Sequence, residues 1–148
     1  MTPVAGALKG SPTLYLFVNA THILSIGLLV GAIIPLDLRI LGFFRKVPIA
    51  IVGPFLSRSA AVGAGMAIVT GALLFSVRPL EYAANTALQA KLCLIAVGLA
   101  NALLLQFRPG WRAENLSGQS PVSAKMAAGV SLATWVGAVL AGRWIGFL

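Results

Sequence analysis

The sequence predicts an all-α fold, a four-helix transmembrane bundle with both termini extracytoplasmic. Three observations carry that expectation. Of 148 residues, 59% are hydrophobic and only 9% are charged, against ~25% charged in soluble domains, and the mean hydropathy is +0.95. The apolar residues gather into four runs, about 13–36, 55–78, 87–107 and 122–146. Each is long enough to cross a hydrocarbon core of ~30 Å at a helical rise of ~1.5 Å per residue. The basic residues sit at the ends of these runs, as topology signals do. The chain reads as one integral membrane domain over 1–148.

A net charge of +8 and a pI near 11.0 would suggest nucleic acid in a soluble chain. Here no basic stripe with interleaved aromatics exists, so nucleic acid is excluded and the lipid bilayer is the expected partner. The single cysteine, Cys93, rules out an intramolecular disulfide and a CxxC redox or metal pair.

Residues 1–12 read as a short tail containing Gly and Pro. The first span follows, with 24 uncharged residues from Thr13 to Leu36, and its helix is expected to run on towards Phe44. It is too long for a signal-peptide core and lacks a small-residue cleavage site, so it reads as a retained helix. Pro35 removes one backbone donor near its end. Arg45 and Lys46 mark a membrane surface, and the apolar connection around Pro48 and Pro54 is expected to lie along the interface. The second span carries Arg58 in its first turn and ends at Arg78. Residues 79–91 read as a short loop into the third span, which holds Lys91 early and Asn101 deeper. Residues 108–121 are the most polar loop, and the fourth span closes at Arg143 and Trp144.

Orientation follows from the basic residues. Arg39, Arg45, Lys46, Arg58, Arg108, Arg112 and Lys125 share one side, and Lys9, Arg78, Lys91 and Arg143 share the other. Seven against four places the 1–2 and 3–4 loops in the cytoplasm. Small residues recur at four-residue steps: Ser59, Gly63, Ala67 and Gly71 in span 2, and Gly129, Ala133, Gly137 and Ala141 in span 4, with Gly27 and Gly31 in span 1. Such stripes let helices approach closely. They pack the chain's own bundle, or one of them, that of span 4, packs a partner subunit.

The polar residues inside the spans are the candidate site. Tyr15, Asn19 and His22 fall within one arc of span 1 at 3.6 residues per turn. His22 is the only imidazole and is expected ~13 Å below the outer boundary, near mid-membrane. It has three candidate roles: a hydrogen bond to a neighbouring helix such as at Asn101, a proton relay, or ligation of a metal or haem. A b-type haem usually takes two strong axial ligands, so haem at His22 implies a two-fold dimer sharing it. Met66, Cys93 and His22 have copper-ligand chemistry, with no spacing that joins them. Asp37, the only aspartate, is expected to form an interfacial ion pair with Arg58. Arg78, Glu81 and Lys91, with Tyr82 and Asn85 between them, form an outer polar set that anchors the loop or docks a partner. Trp135 reads as buried packing, and Trp111 and Trp144 as interface anchors. No triad or phosphate-binding glycine loop is present, which argues against an enzyme.

One pattern resembles a known family. His22, Gly27, Gly31, Asp37-Leu38-Arg39 and Leu41-Gly42 are followed by Gly71, Leu74, Phe75, Pro79, Tyr82, Asn85, Lys91 and Asn101. Together they resemble a small uncharacterised four-helix family of bacterial membrane proteins, loosely similar to the copper-resistance D membrane proteins. The resemblance covers roughly residues 13–108. It implies a multi-pass protein of the bacterial inner membrane, with His22 and the Asp37-Arg39 pair as family positions.

The function expected is a non-catalytic membrane subunit or anchor. It would pack with itself or with a redox or metal-handling partner, with haem b at His22 as one version. The alternative is a small oligomeric transporter or channel with a polar pathway along span 1.

Overall fold

A computed structural model describes residues 3–107 and 122–147. The elements are α1 (Pro3–Gly10), α2 (Pro12–Leu41), α3 (Ile49–Phe75), α4 (Pro79–Ala84), α5 (Thr86–Gln106) and α6 (Val122–Trp144), closed by a 3-10 turn at Ile145–Phe147. Four of these helices are long and apolar enough to cross a membrane. The polar loop over 108–121, with Arg108, Trp111 and Arg112, lies outside the described residues.

Local chemistry sets the helix ends. Ser11 caps α2, its hydroxyl accepting from the Leu14 N–H at 3.3 Å, and Pro12 occupies the first helical position, where a missing donor costs nothing. At the other end Gly42 takes φ +113°. Its N–H reaches Arg39 O at 3.2 Å while Phe43 N–H reaches Leu38 O at 3.0 Å, the Schellman arrangement that a glycine permits. Asn85 caps α5 by accepting from the Ala87 and Leu88 N–H groups at 2.9 and 3.2 Å.

Three segments differ from the expectation, one of them residues 79–91, where α4 and the start of α5 stand in place of a loop, with Pro79 at the first helical position of α4 and Asn85 capping α5. Part of the N-terminal tail is helical, because Ala5 and Leu8 are buried and give α1 an apolar anchor. Residues 49–54 continue α3 rather than lying along an interface. Ile49 is only 2% exposed and packs with Leu36, Ile40, Ala124 and Ala128, which holds the segment in helical register. The donor missing at Pro54 falls near the helix start, where only the bond to Ala50 O is lost.

Helix α3 packs on α2, α2 on α6, and α6 on α5, so α2 and α6 form the middle of the bundle and α3 and α5 flank it. The α2–α3 contact is backbone-close at Gly63: a Cβ there would stand 2.7 Å from Leu29 N and 2.9 Å from Ser25 O. The core centres on Trp135, packed with Leu29, Ala32, Ile33 and Ala60 and flanked by Ile95 and Leu99 of α5. Gly98 admits its ring, since a Cβ there would lie 2.9 Å from Cε2. The span 2 stripe thus serves the chain's own packing. In span 4, Gly137 meets Leu94 of α5, whereas Gly129 and Ala133 are exposed.

Candidate functional site

At one end of the bundle α1, the start of α2, α4 and the C-terminal 3-10 turn surround a depression of about 1020 Å³, lined by Lys9, Tyr15, Arg78, Glu81, Tyr82 and Asn85 among others. Both described ends of the chain therefore lie with the α3–α5 connection. The rim is held locally. Arg78 and Glu81 pair at 3.3 Å with both side chains largely exposed, a geometry that contributes little stability. Tyr82 stacks obliquely on Phe75 with centroids 6.3 Å apart. Burial, and then its hydrogen bond with Tyr15, push the Tyr82 phenol above its ordinary ionisation range.

Below this rim, His22 turns inward to α3. Its Nδ1 lies 2.8 Å from Thr70 Oγ1, and that hydroxyl itself donates to Met66 O at 2.7 Å. A hydroxyl has one proton, so Nδ1–H is the donor to Thr70 and Nε2 keeps the lone pair. Gly71 makes room for the ring: a Cβ there would stand 3.2 Å from Cε1. Thr70 is five residues from the end of α3, roughly 8 Å along the axis, and His22 is ten residues into α2, roughly 15 Å from its start.

Lys91 stands apart from Arg78 and Glu81. It lies within α5, half-buried, with its side chain running over Gly142 of α6. The helix carries it inward, away from the α4 rim. The span 1 arc does not converge: Tyr15 and His22 turn towards other helices, while Asn19 is exposed and has no hydrogen-bond partner among the described residues. Met66 and Cys93 are also exposed, on α3 and α5. Among the described residues no three His, Cys, Asp or Glu side chains gather into a metal site.

In a comparison with known families, the model of a family of unknown function, DUF6644, matches residues 8–148. The chain belongs to this family. No curated protein and no solved structure matches it. Membership agrees with the resemblance to an uncharacterised family, extends it through α6, and carries no link to the copper-resistance D proteins.

In this DUF6644 member the other half of the bundle holds a second polar group, arranged differently from the expected ion pair. Asp37 is 5% exposed, with the Ser131 hydroxyl of α6 beside its carboxyl. Arg58 is exposed in a groove beside Leu28, Phe55 and Val62, and no ion pair joins the two. The cause is rotation about α3. Ala60 faces the core, and Arg58, two residues before it, points about 160° away. Arg39 is also buried, its Nε donating to Val47 O at 2.7 Å, which ties α2 to the following connection. Asn101 joins α5 to α6 through Nδ2 and Ala127 O at 2.9 Å, so it does not serve as the partner of His22.

Sequence reasoning missed Thr70 and Ser131. Hydroxyl residues in helices commonly bond back to the carbonyl four residues before, as Thr21 and Ser59 do here. Which of them also meets another helix depends on tertiary packing. The one available signal was Gly71 next to Thr70, a small residue marking where a ring can lie.

Proposed function

We propose that this chain is a non-catalytic subunit of a membrane assembly in the bacterial inner membrane. Both termini are extracytoplasmic, and the chain packs with further copies of itself or with a redox or metal-handling partner. The observation that carries the reading is the asymmetry of helix burial. Of the most apolar window of each helix, 44% is buried in α2 but only 6% in α5 and 17% in α3. Asn19, an amide exposed inside a span without a partner among the described residues, adds a group that a neighbouring subunit would satisfy. The basic-residue count supports the orientation.

In this reading His22 is first a packing residue between α2 and α3. His22→Gln is expected to cost about 1 kcal/mol, because an amide N–H replaces the bond to Thr70. His22→Ala is expected to cost more, since it also empties the space over Gly71. Purified protein is expected to be colourless. A Soret band lost in both variants would instead assign Nε2 to haem iron shared between two copies. A second reading, a small oligomeric transporter or channel, draws on polar groups in both halves of α2, His22 beside Thr70 and Asp37 beside Ser131. It predicts intact assembly with lost, pH-sensitive flux in His22→Gln. Thermal melts, absorption spectra and liposome flux of the two variants separate these outcomes.

A further inference from the structure

Asp37 lies in α2 one turn before the helix end, enclosed on the α6 side by the wall that carries Ala128 and Ser131. One carboxyl oxygen, Oδ2, is fully buried with no hydrogen-bond partner among the described residues. The Ser131 hydroxyl of α6 lies beside the carboxyl. The charged groups on the surrounding elements are directed elsewhere. Among the described residues, Arg39 Nε donates to Val47 O, Arg45 Nε donates to Gly42 O, and Lys46, Arg58 and Lys125 are exposed. Among the described residues a negative charge in this position would have neither counter-ion nor sufficient donors, the arrangement that membranes and protein interiors penalise most. A hard cation would need several oxygen ligands, and one carboxyl beside one hydroxyl does not supply them. A single proton completes the group.

We infer that Asp37 is a proton-binding carboxyl within the membrane, holding α2 against α6 in its neutral form. This inference is independent of the assembly reading, since it concerns contacts inside one chain. Intramembrane carboxyls of this kind mark proton-handling sites. Here the ligand is the proton itself, exchanged with the aqueous phase at the end opposite the termini.

Asp37 is the only aspartate in the chain, so aspartate isotope-labelled at the side-chain carboxyl carbon, introduced by cell-free synthesis, reports on it alone without a mutation. Infrared spectra of the labelled protein in liposomes at neutral pH are expected to show the isotope shift in a carboxylic-acid carbonyl band. A shift confined to carboxylate stretches would overturn the inference. Asp37→Asn, which substitutes a neutral amide of the same shape, is expected to keep the folded yield within twofold of the parent. A tenfold loss would show that the negative charge itself is needed and would also overturn it.

Discussion

Gly63→Val is expected to abolish the folded protein. A single added Cβ would stand 2.7 Å from Leu29 N and 2.9 Å from Ser25 O, both backbone atoms of α2 that no side-chain rotation can move. The contact is also fixed laterally. Ser25 is 1% exposed and its hydroxyl is engaged with Thr21 O at 2.7 Å, and Leu29 is part of the cluster around Trp135. Relieving the clash means moving α3 away from α2, which also parts His22 from Thr70. Overpacking typically costs ~1–3 kcal/mol where side chains can adjust, and a backbone-to-backbone approach offers no such relief. Folded yield after detergent extraction and thermal melting provide the check. Gly65→Val, two residues away with open space at its Cβ position, should behave like the parent.

Trp135→Ala is expected to destabilise by about 3–5 kcal/mol, the range for emptying a large aromatic site. The indole is 3% exposed and sits where α2, α3, α5 and α6 meet. Gly98 and the ring are matched, so alanine would leave a void along α5 that the glycine cannot fill. Trp135→Phe is expected to be much milder. It retains most of the apolar volume and removes Nε1–H, which is buried without a partner among the described residues. Equal losses for the two variants, measured by thermal unfolding, would show that the site collapses freely and that the ring is not the keystone of the packing.

The spans were legible because hydropathy and helix length are properties of the sequence alone: α2, α5 and α6 begin within a residue of the apolar runs that predict them. Missed were α1 and the first turns of α3, where Ala5, Leu8 and Ile49 become helical through burial against other elements. Rotation about each helix was equally hidden. Asp37 and Arg58 look complementary when only distance from the membrane surface is considered, yet the position of Ala60 in the core turns Arg58 outward. The pairing of His22 with Thr70 was invisible for the same reason: one sequence gives the period of each helix but not the face it offers its neighbour.

Assembly is most directly tested by native mass spectrometry of protein released from membranes in a mild detergent. The account predicts a species heavier than the 15.3 kDa chain, either a whole multiple of it or the chain together with a companion membrane protein. A lone 15.3 kDa chain carrying lipid alone, stable across detergents and concentrations, would contradict it.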